Sequence, residues 1–405
     1  MNNALGLDFN YLFAGFYPPS FSQIIMILIG AYLIYMSIYY NKKPLLLLPM
    51  GVAILAANMP LPKITEDVIN GFLGMIYNGA SSGVYSVLVF FAVGTMIDLG
   101  LVLADPKNFF IGASSQIGIF VVFFMISNLM GSDAAAATSI IGAADGSLAM
   151  YMTTLVTDAR YFAPIVMASY LYMELLPILQ IGVTKFLTTK KERTISMSYL
   201  RHVSRGEKII FAVIAMSLCG IFLANSFPLI AALLFGSILR ESDIIKNFSV
   251  TLQKSLTGIL TMLIGIAIGS SASADTFISL STILIFVFGF VSLILNTVIG
   301  VIVAKIINVL TGGKVNPIIG SAGLSAFPVP AWGAHIYGQE NSSSNCLLLH
   351  AMAVNISGII SGAITVGIFL TFFHNWYYIK FIIENPSFIK VDFLYYYLVL
   401  YTKYN

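Results

Sequence analysis

Charge is what this chain has least of. Asp, Glu, Lys and Arg make up 9% of 405 residues, against about a quarter in an ordinary soluble domain. That is too little to solvate the surface of a globular fold this size, so a soluble enzyme is excluded. The 20 basic and 17 acidic residues nearly cancel, and no net field is left to draw the chain onto nucleic acid; no nucleic-acid partner is expected. Cysteine is almost absent. Cys219 and Cys346 both lie in apolar context, which gives neither a disulfide framework nor a metal site. There is no Walker A loop, no GxSxG elbow and no HExxH pair. The first twenty residues lack a basic leader region and carry Asp8, so they do not read as a cleavable signal and the apolar stretches are expected to be retained.

What the chain does have is apolar length: 58% of it is AVILMFWYC, with 33 glycines besides. Crossing about 30 Å of hydrocarbon takes roughly 20 helical residues. Segments near 22–40, 44–60, 83–103, 108–130, 134–156, 161–183, 208–226, 228–239, 255–272, 277–310, 316–337 and 345–373 qualify or come close. The expected fold is therefore an all-α polytopic membrane protein with about ten to twelve membrane segments. Some of these are poor spans: 134–156 is rich in Ala, Gly and Ser around Asp145, and 316–337 is interrupted by prolines and glycines. Interrupted segments of this kind mark the binding sites of transporters.

The stretch 185–208 carries seven basic residues (Lys185, Lys190, Lys191, Arg193, Arg201, Arg205, Lys208) against Glu192 and Glu207, and by the positive-inside rule it is cytoplasmic. It divides the chain into halves that echo each other in order. PLLLLPMGVAILAAN from Pro44 answers PLIAALLFGSILRES from Pro228, FAVG at 91–94 answers IAIG at 266–269, and IIGAADG at 140–146 answers IIGSAGL at 318–324. The reading is an internal duplication: an N-terminal repeat 1–184, the basic loop 185–208, a C-terminal repeat 209–373, and an aromatic tail 374–405 that looks interfacial. The two interrupted helices should meet near mid-membrane, with the ion or substrate site between 140–147 and 316–326.

Charges inside apolar segments are costly and so point to function. Asp145, in GAADGS, is the clearest, because Asp133 and Asp158 are its nearest ionisable neighbours in sequence. Asp98 lies close to a loop and reads equally as interfacial or functional. Glu174 stands in ASYLYMELLP with Tyr170 and Tyr172 just before it; a tyrosine can donate to a carboxylate and relay a proton. Asn316, Ser325 and Asn355 offer hard oxygens suited to sodium. An Asn before a Pro is equally a helix cap, and for Asn316 the sequence leaves both readings open. His350 is a possible proton carrier or a structural residue.

These motifs, running from about Pro44 to Gly367, resemble one family: the β subunits of the sodium-ion-translocating, biotin-dependent decarboxylases of the oxaloacetate, methylmalonyl-CoA and glutaconyl-CoA systems. The resemblance is carried by PLLLLPMGVAILAANMP, FFAVGTMIDLGLVLADPKNFFIGASSQIGIF, SIIGAADGSLAMY, YLYMELLPILQ with TTKKER, FGSILRES, NPIIGSAGLSAFP and LLLHAMAVNISG. It implies a sodium-translocating, elevator-like protein of the inner membrane that decarboxylates carboxybiotin, consumes a proton and exports Na+. It further implies partners: a biotin-carrying carboxyltransferase α subunit, a small γ or δ membrane subunit and further copies of the chain. No AMKM-like attachment lysine is present, so the biotin is expected on another subunit. Residue by residue, the resemblance places catalytic roles on Asp145 and Tyr172, and Na+ binding on Asp145, Asn316, Gly320, Ser325 and Asn355. It assigns no substrate-binding residue and does not say which acid or acyl-CoA is decarboxylated.

The departures from the family pattern are Trp332 where an arginine is expected, Ala353 and Val354 in place of Gly-Pro, and Ser147 in place of a proline. A tryptophan cannot replace a guanidinium as partner for a carboxylate. Either a nearby basic residue substitutes or the coupling is altered. The alternative reading is a secondary ion or organic-anion transporter on a similar inverted-repeat scaffold, without decarboxylase activity.

Overall fold

The computed structural model describes residues 18–59, 63–242, 252–342 and 345–384, and among them there are helices and no strand. The helices are α1 (Phe21–Tyr39), α2 (Pro44–Asn58), α3 (Lys63–Ser81), α4 (Val84–Gly94), α5 (Leu99–Ala104), α6 (Pro106–Ser115), α7 (Ile117–Met130), α8 (Ser132–Ser139) and α9 (Gly146–Val156). After these come α10 (Phe162–Leu187), α11 (Lys190–Arg193), α12 (Arg205–Phe222), α13 (Phe227–Glu241), α14 (Thr257–Ser271), α15 (Ala274–Phe277), α16 (Leu280–Leu310), α17 (Val329–Asn341) and α18 (Leu348–Glu384). Their ends follow local chemistry. Capping boxes open α1 (Ser20 with Gln23), α11 (Thr189 with Glu192) and α12 (Ser204 with Glu207), and Pro44 and Pro106 sit in the first turn, where no amide donor is needed.

Among the described residues, five helical stretches are long and apolar enough to cross a bilayer: Phe21–Tyr39, Pro106–Met130, Ala159–Leu187, Leu280–Leu310 and Leu348–Phe373. A sixth arises if Gly71–Ser81 and Val84–Gly94, bent by 57° at Ser82 and Gly83, count as one. The ten to twelve segments counted in the sequence thus separate into full spans and shorter helices. The stretch 134–156 splits at Asp145, and 316–337 contains a 3-10 turn (Pro317–Ala322) followed by α17. Helix α3, not among those segments, opens with Lys63, Glu66 and Asp67, which dilute its hydropathy. Helix α18 continues past Phe373 to Glu384; the tail from 385 onward, and the first seventeen residues on which the leader reading partly falls, lie outside the described residues.

The echoing halves trade partners. The IAIG helix, α14, lies along α2, where a Cβ on Gly269 would meet the Met50 carbonyl; the FAVG helix, α4, lies along α13, where a Cβ on Gly94 would meet the Leu233 carbonyl. The echoing glycines thus sit at similar helix contacts.

The two interrupted segments are re-entrant hairpins. Asn316 and Asn345, at either end of the second, both donate their side-chain amides to the carbonyls of Arg193 and Ile195. The chain therefore leaves the basic loop and returns to it. For the first hairpin, Ser132 at one end and Leu155 and Val156 at the other all lie around Phe373. His350 of the same α18 is hydrogen-bonded to Ser198 of the basic loop at 2.8 Å, and 23 residues of helix, about 35 Å, separate it from Phe373. The hairpins enter from opposite faces. Helix α16 supports both: the Ser292 hydroxyl donates to the Ser139 carbonyl at 2.7 Å, and two turns on, Gly300 abuts Gly320 backbone to backbone.

Candidate functional site

The hairpins touch where their helices are broken. The Ser325 amide donates to the Ala143 carbonyl at 2.8 Å, using groups that regular helices would keep to themselves. On one side of this contact the chain turns sharply through Ala144, whose φ of +55° is left-handed, a conformation costly for a residue with a Cβ. Asp145 then caps α9, its Oδ1 accepting from the Ser147 amide at 2.9 Å and the Leu148 amide at 3.3 Å. The carboxylate is thereby fixed, and one oxygen is left to face outward.

It faces a cavity of about 400 Å³, a size that accepts a small ring-bearing ligand. Val89, Phe90, Val93, Phe327 and Ile359 give it apolar walls, and Asp145, Ser147, Tyr170, Ser325, Thr257, Thr261 and Lys43 are its polar groups. The Tyr170 ring lies on the Gly146 backbone so closely that no Cβ fits there. Lys43 is ion-paired with Glu174 at 2.8 Å.

The residues singled out from the sequence divide into two places. Asp145 and Ser325 line the cavity together. Asn355 lies beneath the second hairpin's tip, its Nδ2 donating to the carbonyls of Ala322, Leu324 and Ala326 at 3.3, 2.6 and 3.2 Å. Those three acceptors fix which end of the amide is nitrogen, and the Oδ1, fully buried, has no hydrogen-bond partner among the described residues. Asn316 and Gly320 belong to the hairpin's other end. Asn316 accepts from the Ile318 amide at 3.0 Å while donating to the basic loop, so of the two readings the capping arrangement is the one seen. Gly320 is packed against Gly300 of α16. Tyr172 turns from the cavity: its hydroxyl donates to the Phe286 carbonyl of α16 at 2.6 Å, with its ring edge-on to Phe286 and Phe290.

His350 bridges Ser198 and Asn108 near the basic loop. Asp98 stands apart as well, capping α5 and pairing with Lys208 at 3.0 Å and Arg240 at 3.6 Å, while Lys208 also reaches Glu241 at 3.1 Å. Burial opposes ionisation of Asp98, yet the bonds from Lys208 and the Gly100 amide and the Arg240 charge outweigh it and hold the carboxyl below its ordinary value. Trp332 projects from α17, half exposed and edge-on to His335, and is not part of the cavity wall.

Sequence reading named Tyr170 and Tyr172 beside Glu174 and chose Tyr172; the structure lines the cavity with Tyr170, four residues before Glu174 and hence on its helix face, while Tyr172 is turned away. Two other residues were missed. Gln116, at the junction of α6 and α7, donates to the Gly323 carbonyl at 3.0 Å and braces the second hairpin. Lys43 meets Glu174 across 131 positions, a contact no local pattern encodes.

The family model of the Na+-transporting oxaloacetate decarboxylase beta subunit matches residues 22–373. The chain belongs to this family. The methylmalonyl-CoA decarboxylase subunit beta of Propionigenium modestum is 34% identical, over 91% of this chain and 98% of that one. The glutaconyl-CoA decarboxylase subunit beta of Acidaminococcus fermentans is 35% identical, over 88% and 95%, and the oxaloacetate decarboxylase beta chain 2 of Salmonella typhi 33%, over 86% and 95%. This β subunit is thus a multi-pass membrane subunit of a sodium-transporting decarboxylase, one part of a complex of several subunits. The family carries the decarboxylase reading and not that of a stand-alone transporter.

Proposed function

We propose that the Asp145 cavity is where carboxybiotin, delivered by a biotin-carrying α subunit with a small γ or δ subunit alongside, loses CO2 in the inner membrane, and that Na+ export is coupled at the same place. Loss of CO2 leaves an electron pair on a ureido nitrogen, and one proton must reach that nitrogen. Asp145 holds the proton, Tyr170 and Ser147 frame it, and the apolar walls keep water from the carboxyl group before it leaves. Sodium is the cargo. Its ligands in this reading are the Asp145 carboxylate, the Ser325 hydroxyl and the unpartnered Asn355 Oδ1, all hard oxygens, while Asn316 and Gly320 build the hairpin that carries them and Tyr172 positions α10 on α16. A carboxylate that binds either Na+ or H+ couples the two, since each ion displaces the other.

The observation that carries this reading is the meeting of Asp145 and Ser325, 180 residues apart in sequence, at one cavity between opposed hairpins. The test is Na+ uptake into proteoliposomes holding the whole complex, driven by its acid or acyl-CoA substrate. Uptake that stops when the carboxylated carrier is withheld is expected; uptake that proceeds without it would overturn the coupling.

A further inference from the structure

Lys43 is the one cation among the cavity's lining residues. Its partner Glu174 is the thirteenth of 26 residues in α10, about 18 Å from either end of the helix. An ion pair at that depth is costly unless it serves a water-accessible or ligand-accessible space, and here Lys43 lines the cavity shared with Asp145. Both side chains are partly open, at 30% and 39% exposure, so the pair is not sealed in the core. The Lys43 backbone is itself under strain: φ is +35°, left-handed, and the residue precedes Pro44, a setting in which such a conformation is doubly disfavoured. Strain of this kind persists where the surroundings hold it, and it clusters at ligand sites. What holds it is Glu174 at 2.8 Å and the Met173 sulfur at 3.3 Å, both on α10.

We infer that Lys43 is the carboxylate anchor of the cavity: its ammonium binds the carboxylate of the incoming substrate, exchanging it for Glu174. The chemistry fits both partners. An ammonium is a compact donor on a flexible stem, able to swing from one carboxylate to another without rebuilding the wall. Glu174 keeps the charge compensated while the cavity is empty, and the arriving carboxylate takes its place. The assignment rests on the carboxybiotin reading above and adds to it the residue that recognises the charge being removed: once CO2 departs, the anchor has no anion to hold and returns to Glu174, which favours release of the neutral ring.

The experiment uses the intact complex with a pre-carboxylated biotin-carrying subunit as the probe, measuring KM and kcat for its decarboxylation. Lys43→Gln is expected to raise KM about ten- to a hundredfold, the range of one charge-assisted hydrogen bond, with a smaller change in kcat; Lys43→Arg should restore most of the affinity. Glu174→Gln removes the competing carboxylate and should lower KM. The double variant Lys43→Gln with Glu174→Gln carries no unpaired charge, so it should match the parent in thermal stability while keeping the high KM. That separates binding from folding. An unchanged KM in the double variant, or a KM raised by Glu174→Gln as much as by Lys43→Gln, would show that the pair is only structural and overturn the inference with the decarboxylase reading intact. A parent complex that turns over none of the carboxylated carrier removes that reading and this inference together.

Discussion

At the scale of single residues, the candidate site is built around one carboxylate held in place by a strained turn. Asp145 was legible in the sequence because an aspartate isolated in an Ala- and Gly-rich apolar run has no cheap reason to be there. Its setting was not, since the left-handed Ala144 and the tyrosine pressed on Gly146 come from a sharp backbone turn and a neighbouring helix. Asp145→Asn keeps the cap acceptor but cannot exchange a proton for sodium. We expect it to abolish both decarboxylation and Na+ transport in a complex that still assembles, and Na+-dependent turnover in the assembled variant would remove Asp145 from the mechanism. Gly146→Ala tests the turn itself. Its methyl would enter the Tyr170 ring, and overpacking of this kind costs about 1–3 kcal/mol; a lower melting temperature in detergent, which Tyr170→Leu partly relieves, together with a loss of activity, is the expected outcome.

Among the elements, long uniform helices such as α10 and α16 were read directly from hydropathy, while the broken ones were recognised as interrupted but without the place of each break. The difference is physical. Hydropathy reports apolar length but does not see a cap, and Asp98, Gln116 and Asp145 each end or start a helix inside an apolar stretch. The echo between halves was visible as words, but the exchange of partners, α2 with α14 and α4 with α13, required the backbone. The Asp98 cluster shows how the ends of these elements beside the basic loop are tied: one carboxylate joins α5 to α12 through Lys208 and to α13 through Arg240. Because folding lowers the pKa of Asp98, its contribution is fully present above the ordinary carboxylate value and fades as pH falls through the lower folded value. Asp98→Asn should therefore cost about 1–2 kcal/mol at neutral pH, between the values of exposed and buried pairs. The penalty should shrink toward zero as the solution is acidified through the carboxylate range. Thermal melts of the solubilised complex across that range check it, and a penalty independent of pH would assign the effect to packing.

For the whole molecule, the decisive feature is that two hairpins entering from opposite faces meet at their tips. Sequence indicated that interrupted segments exist and correspond. Which face each enters from was settled by distant residues: Asn316 and Asn345 on the basic loop at one side, and Ser132, Leu155 and Val156 around Phe373 at the other. The point of contact is also more specific than the motifs alone imply, since it is Ser325 that reaches Ala143 while Gly320 lies back against α16. Cysteines paired between 143–144 and 324–326, on a background lacking the free Cys219 and Cys346, should form a disulfide on mild oxidation, since a backbone hydrogen bond between the segments brings Cα atoms within the roughly 7 Å that a disulfide tolerates. A cysteine at Gly320 paired with one at Ala144 serves as the contrast and should stay reduced. The crosslink also bears on coupling. If transport requires the tips to part or slide, locking them should stop Na+ uptake and let reduction restore it; if the locked complex transports at the parent rate, the hairpin contact is a fixed part of the scaffold and the moving element lies elsewhere. Efficient crosslinking from Gly320 with none from 324–326 would instead mean that the second hairpin sits deeper than the Ser325 contact places it.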